Sequence, residues 1–342
     1  MLQTFINLPT EISNAISQIL TQQETSEWVT RASVLHERYT MRQKNGESYL
    51  SDFTDALAYL SLRSPATYAQ IYSSLSQVKE VIPSWEPRTL LDIGSGPGVG
   101  VWAATSVWRS IQSTTCVDAN KNMLSLGKQI TSLARLPVEN SWKQQDARQN
   151  RESAASYDVV VIANVLNELS IADGEKLLGY AFNACKGIMV LIEPGTPFGS
   201  SIIQSAAQKF SRSHTLLAPY VENSFVFSKK YWIHFPQRFI RPEFQRRIRQ
   251  RMRDSVLMAS DWEEAKYSYV AISKVPSEVK AWGRCIGPIQ LQKGFRTVPI
   301  LTKDDIVDVK VLKRYKQHYT FVKNLKWGEM ILNKEDIKEE EK

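Results

Sequence analysis

A glycine-rich turn that follows an acidic residue is the part of this chain best suited to bind a cofactor. The run from Leu90 to Gly100 reads LLDIGSGPGVG and carries Asp92 just before glycines at alternate positions from Gly94 to Gly98. Glycine permits a tight turn and lets a ligand approach the backbone amides. The pattern predicts a strand, a glycine turn and a helix beginning near Pro97, with a nucleotide-type ligand at the end of the strand.

The spacing of the glycines distinguishes between two classes of cofactor. A dinucleotide fingerprint that started at Gly94 would need its third glycine at position 99, which is Val99. Alternate glycines after an acidic residue are instead typical of motif I of class I methyltransferases, which bind S-adenosyl-L-methionine. The predicted cofactor residues are Asp92, Gly94, Ser95, Gly96, Pro97, Gly98, Asp118 and Asp146.

Two of these acidic residues have separate predicted roles. Asp118 ends the next predicted strand, where a carboxylate accepts hydrogen bonds from ribose hydroxyls. Asp146 lies where many methyltransferases place an acidic residue against the adenine amino group. The alternative is a surface turn with two solvated aspartates, and the joint register of strand, glycines, helix and second acid disfavours it.

Acceptor chemistry is predicted after the fourth core strand, where the chain reads NVLNEL. Methyl transfer from a sulfonium depends more on alignment and desolvation than on acid–base help. Asn164 and Asn167 are candidates to hold a base edge, and Glu168 is a candidate proton acceptor. The alternative, which the sequence slightly favours, is that the same three residues cap the next helix, so the sequence does not establish catalysis.

Two kinds of methylation are poorly supported. Methylation of a pyrimidine carbon needs a cysteine nucleophile, but Cys116 and Cys185 fall in or beside predicted strands and are expected in the core. Amino-group methyltransferases often carry an Asn-Pro-Pro-aromatic turn after the fourth strand, and none is present here. The run Glu193 to Pro197, EPGTP, follows the fifth strand instead, where it either shapes an acceptor pocket or turns the chain.

The elements that must position these residues predict an α/β protein with a class I, Rossmann-like methyltransferase core. Short apolar runs alternate with helix-length segments from residue 88 onward, which indicates a doubly wound parallel sheet. We predict a helical N-terminal region over 1–82, a core over 83–275 with a basic insertion at 194–266, a basic β-rich domain similar to the OB-fold over 276–332, and a charged tail over 333–342.

Composition narrows the class of partner and the compartment. The 342 residues carry a formal net charge of +8 with a pI near 9.2, which favours an anionic partner. Three cysteines far apart in sequence suggest reduced thiols, and the N-terminal segment does not read as a presequence because it has no arginine before Arg31. We therefore expect a cytoplasmic bacterial protein that does not insert in a membrane.

The chain resembles a family of methyltransferase-like proteins of the small ribosomal subunit in bacteria and mitochondria. The matching segments are Leu57–Ala69, Asp92–Gly98, Asn167–Leu169, Ile192–Pro197, Trp232–Arg238 and Glu264–Tyr269, within a similarity that runs from about residue 50 to Gly328. The resemblance implies association with the small subunit during assembly or translation, contact with its ribosomal RNA, and methyltransferase activity or a purely assembly-related role.

This chain departs from its relatives at the four cysteines that bind an iron–sulfur cluster in many of them. The matching positions are Tyr220, Ser224, Ile233 and Leu301, so the four thiolates are missing and we predict no cluster. His234 remains nearby, but a lone histidine among aromatic residues is more often a core residue than a metal ligand. We predict no metal site.

Arginine-rich segments predict contact with RNA phosphates. The run from Arg246 to Arg253 reads RRIRQRMR, and neutralisation of phosphates by such a patch gives salt-dependent affinity without sequence preference. The predicted RNA contacts are Arg238, Arg246, Arg247, Arg249, Arg251, Arg253, Lys313 and Arg314. The alternative is a solvated basic face, which isolated lysines would suit better than the arginine run.

Three functions remain open at this point. The first is a methyltransferase that modifies small-subunit ribosomal RNA. The second is an assembly factor that binds S-adenosylmethionine without turnover, and the third is a methyltransferase for a small molecule or a protein. The third leaves the basic additions unexplained. The target nucleotide, the methylated atom and the oligomeric state are not given by the sequence.

Overall fold

The computed structural model describes residues 5–23, 31, 34, 52–149, 156–222, 224–228, 231–252 and 260–337. Its N-terminal part contains α1 (Thr10–Gln22), α2 (Phe53–Leu62) and α3 (Ser64–Val81). Asp52 caps α2 by accepting a hydrogen bond from the Asp55 N–H, and Pro65 lies in the first turn of α3, where its missing N–H is not needed.

The core sheet is mixed and strongly buried. Its strands are β1 (Thr89–Ile93), β2 (Ser113–Asp118), β3 (Glu139–Gln144), β4 (Tyr157–Ala163), β5 (Cys185–Pro194), β6 (Thr215–Ala218), β7 (Phe235–Ile240) and β8 (Trp262–Ser273). They pair in the order β3-β2-β1-β4-β5-β8-β6, with β7 paired to the remaining part of β8. The first five are parallel to one another, whereas β8 runs antiparallel to β5, β6 and β7.

The helices that connect these strands cover the sheet. They are α4 (Val99–Val107), α5 (Lys121–Ala134), α6 (Ile171–Ala184), α7 (Pro197–Ser211) and α8 (Glu243–Arg251). The chain passes from β1 to β2 on one side and then crosses to β4 on the other, so β1 and β4 flank a topological switch point, where ligands bind at the carboxyl ends of strands. This order, with an antiparallel strand beside β5, is that of a class I methyltransferase core, and the predicted fold class is confirmed.

A second, antiparallel sheet follows the core. It consists of β9 (Gly283–Cys285), β10 (Gln290–Gln292), β11 (Phe295–Thr302), β12 (Ile306–Leu312) and β13 (Met330–Ile331), and α9 (Lys316–Asn324) packs on it. Val298 and Ile300 of β11 share the buried face with Val309 and Val311 of β12. The β-rich C-terminal domain is therefore present. The pairings among its described strands leave the sheet open and do not close it into a barrel.

Arg284 of β9 joins the second sheet to the core. Its side chain is fully buried and donates hydrogen bonds to the carbonyls of Pro219 and Gly328 and to the side-chain oxygen of Gln77 in α3. Gln77 also donates to the Tyr267 hydroxyl of β8. One polar network thus ties α3, the core sheet and the second sheet together.

In the part of the chain that the structure describes, no helix combines the length and the apolar character needed to cross a membrane.

Candidate functional site

The glycine turn has the geometry that its sequence predicts. The N–H groups of Gly94 and Ser95 both donate to the Val117 carbonyl of β2, at 2.8 and 3.1 Å. Gly94, Gly96 and Gly98 all have positive φ, at 70°, 53° and 89°, which residues with a Cβ rarely adopt. The turn therefore bends sharply between β1 and α4 and lies at the carboxyl edge of β2.

Asp92 lies beneath this turn and is almost fully buried. An added Cβ on Gly100 would come within 2.5 Å of its Oδ2, so the contact with α4 requires a glycine there. Oδ2 has no hydrogen-bond partner among the described residues. Burial raises the pKa of the Asp92 carboxyl to about 7, repulsion from Asp118 adds to the rise, and the Gly100 N–H opposes it.

Asp118 closes the other side of the turn. Its Oδ2 accepts from the Gly96 N–H at 2.8 Å and its Oδ1 accepts from the Asn120 N–H at 2.8 Å. Each carboxylate oxygen can accept a second hydrogen bond, so both remain able to bind a hydroxyl donor. Desolvation raises the pKa of this carboxyl, against the effect of the two N–H donors.

Asp146 follows β3, and its contacts differ from those of Asp92 and Asp118. Its carboxylate accepts hydrogen bonds from the backbone and the guanidinium of Arg148, which is largely exposed. Asp146 is therefore oriented by Arg148, which lies two residues further along the chain. Its predicted contact with an adenine amino group stays a prediction.

The acceptor segment is held in an unusual conformation. Asn164 has a φ of 58°, its N–H donates to the Ile192 carbonyl, and its side-chain amide donates to the Gln70 side chain of α3. The Oδ1 atoms of Asn164 and Asn167 are buried without a partner in the described residues. Helix α6 is capped by Ser170, which lies beyond all three candidates, so capping of the next helix does not account for them.

Glu193, at the end of β5, holds this segment through a hydrogen bond to its backbone. It is fully buried, and its Oε1 accepts from the Leu166 N–H at 2.9 Å. Burial raises the pKa of its carboxyl to about 8, while the N–H groups of Leu166 and Asn167 oppose the rise. Sequence reasoning placed Glu193 only in a rim turn, and its position directly after five consecutive apolar residues was the available signal of its burial.

Glu168 is close enough to Asp118 for the two carboxylates to repel each other. Desolvation by neighbouring groups, and secondarily repulsion from Asp118, raise its pKa to about 7, although Glu168 as a whole is an exposed residue. Asp92, Asp118 and Glu168 therefore form a cluster of carboxyl groups around one cleft, with raised pKa values. Such a cluster favours a ligand that brings positive charge.

The N-terminal helices supply a wall of the cleft that sequence reasoning missed. Tyr59 of α2 is hydrogen-bonded to Thr67 of α3 and lies within electrostatic range of Arg63, Glu168 and Asp118. Burial is the main reason why the pKa of Tyr59 is raised. Tyr59 belongs to α2 and Thr67 to α3, and no local pattern in the sequence signals that these helices reach the core site.

The predicted RNA-contact residues differ in their exposure. Arg247 and Arg246 of α8 are exposed, and Arg246 lies 3.6 Å from Asp261. Arg251, Lys313 and Arg314 are also exposed. Arg238 is partly buried against Glu264 and Trp262, and Arg253 lies outside the described residues.

Arg249 has to be removed from the predicted RNA contacts. Its side chain is 4% exposed and donates to Glu263 of β8 at 2.9 Å. Glu263 also accepts a hydrogen bond from Arg241, whose side chain is similarly buried. Arg249 therefore anchors α8 to the sheet and is not presented to a phosphate.

The positions that correspond to the relatives' cluster cysteines are occupied by packing side chains. Tyr220, Ile233 and Leu301 are buried, and Ser224 bonds to the backbone of its own turn. Over the described ranges there is no group of three or more His, Cys, Asp or Glu side chains that could hold a metal ion. The three cysteines are buried and unpaired, so Cys116 and Cys185 lie in the core as predicted.

Among solved structures, the chain is similar to a putative RNA methyltransferase, PH1948, from Pyrococcus horikoshii. The two share 14% sequence identity with a TM-score of 0.39, over 65% of this chain and 96% of the other. The fold assignment above rests on the strand order and not on this similarity.

Curated relatives are mitochondrial proteins. The chain is 30% identical over 181 residues to the Homo sapiens protein "Ribosome assembly protein METTL17, mitochondrial", a match covering 52% of this chain and 39% of the relative. It is 30% identical over 171 residues to "Rsm22-cox11 tandem protein 2, mitochondrial" of Schizosaccharomyces pombe, covering 44% and 21%. The matches thus span less than half of each relative.

These names overturn one prediction. The expected localisation in a bacterial cytoplasm is wrong, because both relatives and the matching family are described as mitochondrial. The family model for the mitochondrial small ribosomal subunit protein Rsm22 matches residues 53–331, which is most of the chain and includes both sheets. The chain belongs to the Rsm22 family.

Proposed function

We propose that this chain binds S-adenosyl-L-methionine at the carboxyl ends of β1, β2 and β4 and acts in assembly of the small ribosomal subunit of mitochondria. The observation that carries the cofactor part is the convergence of Asp92, Asp118 and Glu168 on the glycine turn. Family membership and the word "assembly" in the name of the human relative support the ribosomal part.

The residues of the cleft fit this cofactor in shape and charge. The positive φ angles at Gly94, Gly96 and Gly98 leave the turn without side chains, so a ligand can approach its backbone. The carboxyl cluster complements a ligand with a sulfonium and an ammonium group, and Asp118 retains acceptor capacity for ribose hydroxyls. When bound, the cofactor supplies an electrophilic methyl group on a positively charged sulfur.

On the acceptor side, this chain's own residues would orient a base. Asn164 and Asn167 each have a buried Oδ1 without a partner in the described residues, and a base amino group would satisfy such an atom. Glu168, with a pKa of about 7, would accept the proton that the methylated atom releases. Glu193 and Gln70 hold the segment in place through Leu166 and Asn164.

We propose ribosomal RNA as the partner because exposed arginines of α8 and the net charge of +8 suit a polyanion. The basic surface would supply affinity that falls with salt. Methylation of a small molecule or of a protein has no comparable feature in its favour.

Isothermal titration calorimetry tests the cofactor proposal directly. We expect S-adenosylmethionine to bind the purified chain, and Asp118→Asn to weaken binding by roughly tenfold because a charged acceptor is lost. Affinity should rise between pH 6 and pH 8, since carboxyls with pKa values near 7 ionise in that interval. Asp304→Asn, at an exposed site of the second sheet, serves as the control. Absence of heat with both the methyl donor and its demethylated product would refute cofactor binding.

Turnover is tested separately with a radiolabelled methyl donor and immature small subunits. Label in ribosomal RNA that disappears with Asp92→Ala supports an RNA methyltransferase. Measurable cofactor binding without label in RNA supports an assembly factor that binds the cofactor without turnover. Label in protein instead of RNA would contradict the RNA proposal.

A further inference from the structure

The pairing of β7 with β8 places a row of aromatic and basic side chains on one face. The register pairs Pro236 with Lys266, Arg238 with Glu264 and Ile240 with Trp262, so even-numbered residues of both strands share a side of the sheet. β5 ends opposite Tyr267, so this part of β8 extends beyond the carboxyl edge of the core. We call the side chains of Trp232, His234, Lys266, Arg238 and Trp262, together with Trp327, the aromatic strip.

One end of the strip is a stack of three rings. The rings of Trp232 and His234 are stacked with centroids 4.6 Å apart, and Trp327 meets His234 edge-on at 4.9 Å. The Nδ1 atom of His234 is hydrogen-bonded to the Trp232 carbonyl. Desolvation, reinforced by Lys266, lowers the pKa of His234, so its ring is neutral at physiological pH. Trp232 remains 44% exposed and offers an open ring face.

The other end combines a tryptophan with a cation. The guanidinium of Arg238 lies over the Trp262 ring at 4.5 Å and is held by Glu264 at 3.4 Å. Trp262 is 37% exposed although Phe5 contacts its edge. Between the two ends lies the exposed Lys266. The six residue-to-residue steps of extended strand from Trp262 to Ser268 span about 20 Å, which suits a short run of nucleotides.

The middle of the strip, at Lys266, adjoins the rim of the proposed acceptor pocket. The Lys266 carbonyl accepts hydrogen bonds from the Gly195 N–H and the Gln70 side chain, each at 2.9 Å. The side-chain oxygen of Gln70 in turn accepts a hydrogen bond from the side-chain amide of Asn164. A strand lying along the strip would therefore lead toward the acceptor segment.

Core packing does not explain these side chains. The odd-numbered face of the same strands is the one that packs inward, where Gln237 meets Ser73 and Tyr267 meets Gln77. Trp262 lies on the opposite, even-numbered face, and both end tryptophans keep more than a third of their surface exposed. An exposed aromatic residue alone means little, but tryptophans interleaved with Arg238 and Lys266 match a surface for single-stranded nucleic acid.

We propose that the aromatic strip binds an unpaired segment of RNA by stacking bases on Trp232 and Trp262, with Lys266 and Arg238 near the phosphates. The inference deepens the proposed function, since it rests on RNA as the partner and names the single-stranded form that this site takes. Stacking on aromatic rings tolerates any base, so the strip would select flexible, unpaired RNA and would have little preference for its sequence.

Fluorescence anisotropy with labelled oligouridine, and with an RNA duplex of the same length, tests the strip. We expect the full chain to prefer the single strand, and Trp232→Leu and Trp262→Leu each to weaken that binding by roughly tenfold while leaving duplex binding unchanged. Lys266→Gln should reduce the salt dependence by about one ion. Leu133→Ala, at a comparably exposed apolar site on α5, and Lys128→Gln on the same helix are the controls.

The outcomes separate the strip from the cofactor site. Thermal unfolding of each variant checks that the fold is retained, and calorimetry with S-adenosylmethionine on the same preparations reports on the cleft. No cofactor binding by the wild-type chain, together with measurable oligouridine binding, would refute the cofactor part of the proposed function and leave the strip standing. No preference for single strands, or unchanged affinity in both tryptophan variants, would overturn the strip, including the case in which the surface binds protein instead.

Discussion

Glu193 shows how one buried carboxyl group can position the proposed acceptor segment. It lies at the end of β5, is fully buried, and receives the Leu166 N–H from the segment that carries Asn167 and Glu168. Its Oε2 has no partner within the described residues. A pKa of about 8 means that the group is mostly protonated at neutral pH, which removes the energetic penalty of a buried charge.

The stability of the chain should therefore depend on Glu193 and on pH. Because its folded-state pKa lies above that of an unfolded glutamate, the folded state holds the extra proton, and the free energy of unfolding falls as pH rises from about 5 to 8. Glu193→Gln cannot ionise and should reduce this fall by on the order of 2 kcal/mol. Urea unfolding at several pH values measures it. An identical pH profile in Glu193→Gln, with exposed Glu175→Gln as control, would refute this role.

The residues of the cleft were predictable only where they are close in sequence. Asp92, the glycines and Asp118 follow one strand–turn–helix–strand unit, so their spacing alone indicates a shared site. Tyr59 and Thr67 reach the same cleft from helices that precede the core, and no local pattern reports a contact across that separation. The burial of Arg249 was likewise invisible, since its partner Glu263 lies on another element.

At the scale of elements, Trp142 of β3 joins the glycine turn to α5. A Cβ added at Gly98 would meet its ring at 2.8 Å, and one added at Gly127 of α5 would meet it at 2.4 Å. The ring thus occupies the space that both glycines leave. The strand that carries it is polar and largely exposed, which is why the sequence does not predict β3.

Two helical glycines make a matched pair that tests this contact. Gly127→Ala should destabilise the chain by roughly 1–3 kcal/mol, because the methyl group would displace the Trp142 ring and overpack the site. Gly179→Ala on α6 has no atom within 4 Å of the added carbon and should stabilise the chain by up to about 1 kcal/mol. Thermal and urea unfolding measure both changes. Equal shifts of the two variants would show that the Trp142 contact is unimportant.

Helix α8 separates structural from exposed arginines. Arg247→Gln should weaken RNA binding and lower its salt dependence by about one ion without changing stability, because Arg247 is exposed. Arg249→Gln should instead lower the free energy of unfolding by roughly 2 kcal/mol, because it removes a buried partner of Glu263. Filter binding at several salt concentrations and urea unfolding distinguish the two. The reverse assignment of effects would contradict this division.

The arrangement of elements was predictable where apolar patterning is strong. The four buried parallel strands β1, β2, β4 and β5 were visible as apolar runs. The segment at 194–266, predicted as an insertion, also contributes β6, β7 and part of β8 to the core sheet. Strand pairing there depends on contacts with β8 that the local sequence does not encode.

At the scale of the whole molecule, the core and the second sheet are joined by polar and apolar contacts together. Ile286 and Leu301 of the second sheet belong to the same buried cluster as the core strands. Arg284 adds three hydrogen bonds to groups from three separate segments. Composition predicted a basic β-rich domain after the core. It could not predict a fully buried arginine between the core and that domain. Arginine is almost never fully buried unless it is paired, and the partners of Arg284 lie in distant segments of the chain.

Loss of Arg284 should therefore loosen the two sheets together. Arg284→Ala leaves the carbonyls of Pro219 and Gly328 and the Gln77 side chain without their donor, and we expect the free energy of unfolding to fall by roughly 3 kcal/mol. Arg314→Ala at the exposed end of β12 should change it by less than about 0.5 kcal/mol. Urea unfolding gives both values, and limited proteolysis should cut the Arg284 variant sooner between the core and β9. Equal stability of the two variants would mean that apolar contacts alone hold the sheets together.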